Sequence, residues 1–132
     1  EFLLQASPAE VNTVDACGDT ALHIAAKHRR CSIGAALLMS GIFDQVNAAN
    51  GDGYTALHLA AAYGCTSLCR TLLGCKHFLE ASARDRRGRT ALHHAASNGH
   101  PEACSALLAH RAFREGAAED NDGLTASDVA RA

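Results

Sequence analysis

Asp85-Arg86-Arg87-Gly88-Arg89-Thr90-Ala91-Leu92-His93-His94-Ala95-Ala96-Ser97-Asn98-Gly99-His100 is the stretch that decides the fold. Its centre, Gly-x-Thr-Ala-Leu-His at 88–93, also stands at 53–58 and at 18–23, and degenerates at 123–128. The spacing is 35 residues each time. The match extends beyond the motif: Ala25, Ala60, Ala95 and Ala130 share one column, and Leu37-Leu38, Leu72-Leu73 and Leu107-Leu108 share another. A fixed period in this range predicts a stack of supersecondary units, each burying its apolar face against its neighbours.

Within one unit, Thr55-Ala56-Leu57-His58-Leu59-Ala60-Ala61-Ala62 is rich in helix formers and begins with a threonine able to cap a first turn. A short helix is expected from near Thr55 until Gly64 ends it. A second helix should run from about Thr66 to Leu73 or slightly beyond, and the third unit places Pro101 at the same start, a residue suited to the first helical position. The stretch 46–53, with its Asn, Asp and Gly, reads as a tight turn between units. The frame gives repeats at 15–49, 50–84 and 85–119, with partial ones at 1–14 and 120–132, in one domain spanning 1–132.

The sequence resembles the ankyrin-repeat family, whose pattern is Asp-x-x-Gly-x-Thr-Pro-Leu-His-x-Ala-Ala-x-x-Gly-His, a second helix ending Leu-Leu, and a Val-Asn-containing hairpin. The third unit matches best, with Asp85, Gly88, Thr90, Leu92-His93, Ala95-Ala96, Gly99-His100 and Leu107-Leu108 in register. The resemblance implies an all-α solenoid of helix-turn-helix units joined by β-hairpin-like loops. It also implies that His23, His58 and His93 are structural imidazoles, bonded to the nearby threonine hydroxyl and to turn backbone. Three departures stand out. The period is 35 where the family usually has 33, and Phe43, Phe78 and Phe113 recur in the lengthened loop, as if pinning it to the solenoid. Lys76, Arg111 and Arg29 stand where the family has glycine, at a cost on the order of 1 kcal/mol for each that keeps positive φ. Gly34 lies within a second helix, so the first unit should be the looser end. The incomplete terminal units suggest a segment of a longer protein.

Composition narrows the function. The apolar share is 48%, mostly Ala and Leu, with no Trp and two Tyr, so the core must be made of small, closely approaching side chains. Twelve Lys and Arg against fourteen Asp and Glu leave a formal charge of −2, which gives no global attraction for nucleic acid or an anionic membrane. No apolar run approaches the length of a membrane span. The six cysteines, Cys17, Cys31, Cys65, Cys69, Cys75 and Cys104, read as free thiols, because Gly34 shares a column with Cys69 and Cys104. Free thiols point to a reducing compartment, cytoplasm or nucleus.

Catalysis and metal binding find little support. Cys65 and Cys69, with His94 or His100, are the best metal candidates, but zinc wants four ligands and paired spacing that is missing. Ser97 and His93 lie four apart with no orienting acid on their face, and no phosphate loop occurs. The chain is therefore expected to be no enzyme and to need no cofactor.

The expected role is a protein-interaction module, scaffold or adaptor that binds on its concave face, which the resemblance implies is built from hairpin tips and first helices. The alternative is a regulatory ankyrin segment of a larger enzyme or channel, acting intramolecularly. Positions left free by the repeat should choose the partner: Asp19, Lys27, His28, Asp52, Tyr54, Tyr63, Arg84, Arg86, Arg87, Arg89, Ser97, Asn98 and Leu124. Tyr54 and Tyr63 lead, since tyrosine is enriched at binding hot spots. Arg84, Arg86, Arg87 and Arg89 surround Asp85 on one hairpin, between acidic hairpins bearing Asp15, Asp19 and Asp52 and Glu119, Asp120 and Asp122. They would receive acidic or phosphorylated side chains of a protein or peptide. Leu4, Glu10 and Val11 before Asn12 resemble the setting in which hairpin asparagines of the family are hydroxylated.

Overall fold

A computed structural model describes residues 12–41, 43–75, 78, 81–110 and 117–131. Its helices come in pairs: α1 (Ala21–Lys27) with α2 (Cys31–Met39), α3 (Ala56–Ala62) with α4 (Thr66–Gly74), and α5 (Ala91–Ser97) with α6 (Pro101–Ala109). α7 (Ala126–Arg131) follows as a first helix. First helices pack on first helices and second on second, so α1, α3, α5 and α7 form one layer and α2, α4 and α6 the other. Among the described residues the connecting loops form turns and no strand, giving an all-α solenoid.

Each first helix starts the same way. Thr20, Thr55 and Thr90 are N-caps, and the histidine three residues on closes a capping box. The N–H groups of these threonines donate to Nδ1 of His23, His58 and His93 at 3.1, 3.0 and 3.2 Å. Nε2 of each ring then donates to a carbonyl of the next hairpin: Tyr54 at 2.7 Å, Arg89 at 2.9 Å and Leu124 at 2.8 Å. A backbone N–H can only donate and a carbonyl can only accept, so the arrangement demands the neutral tautomer with its proton on Nε2. Burial favours the same state and lowers His23, and it takes His58 down to about 4. These histidines are the structural rivets the resemblance implied.

The hairpins repeat as faithfully. Asp15, Asn50, Asp85 and Asp120 each use Oδ1 to accept the N–H groups two and four residues on. Gly88 completes the turn at φ +77°, and a Cβ there would lie 2.9 Å from the backbone N of Asn121. Glycine is required both by that φ and by the close approach of the next hairpin. Arg29 is the only non-glycine residue with positive φ, +56°, among the described residues. Lys76 and Arg111 lie outside them. Gly34 has a packing reason: its missing Cβ admits Leu68, whose Cδ1 would be 2.9 Å away.

The core is a column of Leu22, Leu57 and Leu92 beside one of Leu37, Leu72 and Leu107, with Ala25, Ala60 and Ala95 letting the first helices approach. Phe78 is buried in its loop and Phe43 packs against the core, as the loop reading required, while Phe113 falls outside the described residues.

The reading of six free thiols is corrected here. Cys31 and Cys65 form a disulfide, with Cα atoms 6.3 Å apart, while Cys17, Cys69, Cys75 and Cys104 are free. Stacking brings the first residue of α2 against the N-cap of α4, within the span a disulfide needs. The two cysteines are 34 residues apart and so occupy different repeat columns. The argument from the Gly34 column therefore never applied to them. It also leaves Cys65 unable to serve as a metal ligand.

Candidate functional site

A groove of 360 Å³ opens where the second and third repeats meet, lined by Tyr54, His58, Leu59, Ala62, Tyr63, His94 and Asn98. The repeat frame dictates how each gets there. Tyr54 closes a hairpin, its N–H bonded to Asn50 Oδ1 and its carbonyl held by His23. Tyr63 caps the C-terminus of α3 and is 43% exposed. Leu59 and His94 occupy one repeat column, whose other members are Ile24 and Val129. An imidazole thus stands in a column that is otherwise aliphatic.

His94 forms the polar floor. Its Nε2 donates to Asp85 Oδ2 at 2.7 Å, and its ring meets Tyr54 edge-on at a centroid distance of 5.3 Å and His58 at 5.5 Å. Burial holds His94 below the usual histidine value despite the pull of Asp85. Burial alone would raise Asp85, but the bonds from His94 and from the Arg89 and Arg87 N–H groups outweigh it and keep the carboxyl below its ordinary range. At neutral pH the floor is therefore a carboxylate beneath neutral imidazoles. His58, Asp85 and His94 bring ligand atoms within 4.8 Å of one another. Both His58 nitrogens are already committed to Thr55 and Arg89, however, so the cluster is built as a hydrogen-bonded network.

The residues singled out from sequence sort into several groups. Tyr54, Tyr63 and Asn98 line the groove, and Asn98 Nδ2 donates to the His94 carbonyl. Ser97 is exposed at the end of α5, beside it. Asp19 does not face outward: it is 2% exposed, paired with Lys27 and accepting from Asn50 Nδ2 at 2.8 Å. Arg84 reaches across to the Glu119 carbonyl at 2.8 Å, and Arg89 pairs with Asp120 at 3.2 Å. Arg86 and Arg87 remain exposed, with no ion pair to either among the described residues. The Arg86 stem lies over Gly53, the neighbour of Tyr54, so it flanks the groove. His28 and Asp52 are exposed on the first and second repeats and do not line the groove. Leu124 is 37% exposed and gives its carbonyl to His93. Asn12 Oδ1 accepts from the Asp44 N–H at 2.8 Å. Leu4, Glu10 and Val11 lie outside the described residues.

Leu59 and His94 were missing from the sequence-derived partner set. The repeat alignment held the signal for His94, because no other member of its column carries charge or a hydrogen-bonding side chain.

The model for ankyrin repeats in three copies matches residues 1–85 and 74–131. The chain belongs to the ankyrin-repeat family, which serves in general as protein–protein interaction modules. No curated protein matches it in sequence. No helix among the described residues is long and apolar enough to cross a membrane.

Proposed function

We propose that this domain is a binding module, a scaffold or adaptor without catalytic activity, whose partner segment lies in the concave groove between the second and third repeats. The observation that carries this reading is the groove itself. It offers two tyrosines over a hydrogen-bonded floor, with Arg86 at its hairpin edge and the exposed Arg87 next to it in the chain. Tyrosines supply large contact area at low entropic cost, and guanidinium groups pair with carboxylate or phosphate through two hydrogen bonds. The partner segment therefore presents an apolar or aromatic side chain to Tyr54 and Tyr63 and an acidic or phosphorylated one to Arg86 and Arg87. Four free cysteines support a cytoplasmic or nuclear setting, although the Cys31–Cys65 bridge weakens that argument.

Selection from a displayed peptide library tests the reading. Enriched peptides should combine an acidic residue with an apolar one. The Tyr54→Ala, Tyr63→Ala double variant should lose at least about thirtyfold in affinity, as expected for a hot-spot pair. Arg86→Glu with Arg87→Glu should weaken binding most at low salt. Peptides indifferent to both double variants would place the binding surface elsewhere.

A further inference from the structure

The Cys31–Cys65 bridge joins the first repeat to the second, and its two sulfurs stand in unequal surroundings. Cys31 is half-buried at the first position of α2, whereas Cys65 is 2% exposed at the N-cap of α4. Of the two, Cys31 is therefore the more accessible to an incoming thiolate. Both residues sit at the positive end of a nine-residue helix with no acid in its first turn, and the cationic Arg30 precedes Cys31. These are surroundings that favour a thiolate leaving group. Cys69, one turn along α4 from Cys65, is fully buried, and burial pushes its thiol up to about 12. Burial thus disfavours the Cys69 thiolate that scrambling of the bridge would need.

We infer that Cys31–Cys65 is a reversible thiol–disulfide exchange site, opened by low-molecular-weight thiols of the glutathione class through attack at Cys31, and that its state sets how firmly the first repeat is docked. In the first step the thiolate sulfur bonds to Cys31 Sγ, the Sγ–Sγ bond breaks, and the electron pair leaves on Cys65 Sγ. A second thiolate attacks the outer sulfur of the mixed disulfide, releasing the oxidised small-molecule disulfide. Two protons from solvent complete the Cys31 and Cys65 thiols, so two thiols are oxidised as one protein disulfide is reduced.

The reduced domain keeps its fold through bonds that do not involve the bridge: His23 to the Tyr54 carbonyl, the Gly51 N–H to the Cys17 carbonyl at 2.9 Å, and Asn50 to Asp19. Those same bonds hold the hairpin that carries Tyr54. Opening the bridge therefore loosens α1 and α2 and, through them, that hairpin. The third repeat meets that hairpin through His94 and Arg86 but contributes neither cysteine of the bridge.

The test equilibrates the 132-residue chain in glutathione buffers stepped from reducing to oxidising, followed by alkylation, peptide mapping and amide exchange. Cys31 and Cys65 should gain and lose label together as one two-electron couple, with any glutathione adduct within the pair on Cys31 and not on Cys65. Reduction should speed exchange across 21–39 at least about tenfold and leave 91–109 unchanged, because a cross-link of this span restrains local opening. Cys31→Ser should exchange like the reduced parent in every buffer, and Cys69→Ser should respond like the parent. A bridge that stays closed or stays open throughout the series would overturn the inference. So would independent titration of the two cysteines, or exchange in 21–39 that ignores the buffer. The buffer series on the parent decides the matter even if a serine variant fails to fold.

Discussion

His58 shows how much one side chain settles. It caps its own helix, ties its repeat to the hairpin of the next, and does both only while neutral. The unfolded chain takes up a proton near pH 6.5, while the folded one resists until about 4. Stability should therefore fall as pH drops through that window, with His58 alone contributing a loss of about 3 kcal/mol. His23 and His94 shift in the same direction and act in the same sense. Denaturant titrations at pH 7.5, 6 and 4.5 would measure the slope, and a flat profile would contradict the neutral-rivet arrangement. Arg29, at φ +56°, offers a simpler test: Arg29→Gly should raise stability by about 1 kcal/mol, read as a higher thermal midpoint. The histidine column was legible in the sequence because three copies made it visible. Its partners were legible too, since the threonine and the hairpin recur with it. His94 was harder to read: it departs from its column, and its importance comes from Asp85, nine residues away, which only the hairpin geometry brings into contact.

At the scale of elements, the hairpins are shaped from within and positioned from without. The Asp or Asn at the head of each turn sets its form, and backbone bonds such as Asn121 N to the Arg87 carbonyl at 2.8 Å set its place beside the neighbour. Gly88→Ala should thus disturb both, through its φ and through the Asn121 backbone, at a cost of about 1–3 kcal/mol in chemical denaturation. The helices were readable almost to the residue from Thr, Gly and Pro: α3 is capped by Thr55, Gly64 follows its C-cap, and α6 begins at Pro101. Contacts between elements were less so. The Cys31–Cys65 bridge, at 34 residues, departs from the 35-residue register that made the rest readable. The contacts of Arg84 with Glu119 and Arg89 with Asp120 keep the register but depend on arginines that do not recur in their columns. Of the four arginines in the cluster, the fold engages Arg84 and Arg89, which left their availability beyond the reach of composition.

Across the whole molecule, burial is set by position in the stack. Leu59 and Leu68 are 5% and 0% exposed, whereas their equivalents in the first repeat, Ile24 and Ile33, are 39% and 46% exposed. Leu68→Ala should cost about 2–5 kcal/mol and Ile33→Ala well under half of that, measured by urea unfolding. Equal costs would mean that the first repeat is packed as tightly as the second. The architecture was fully legible at this scale because a repeat declares its own frame. The groove was legible only as a pair of tyrosines on free positions, since its depth depends on which side chains face one another across a boundary.

The histidine rivets have one more consequence. Each clamps a hairpin to the helix of the unit before it through the same short bond, so the pitch between hairpins is a property of the frame and not of the residues at their tips. The surface behaves like a ruled scale whose divisions, about 10 Å apart as for packed helices, cannot be stretched. Substitutions at the tips can change what is written at each mark but not the distance between marks. A partner that grips two hairpins must carry its own contacts at that interval, and if it misses one boundary it can re-engage only a whole repeat away.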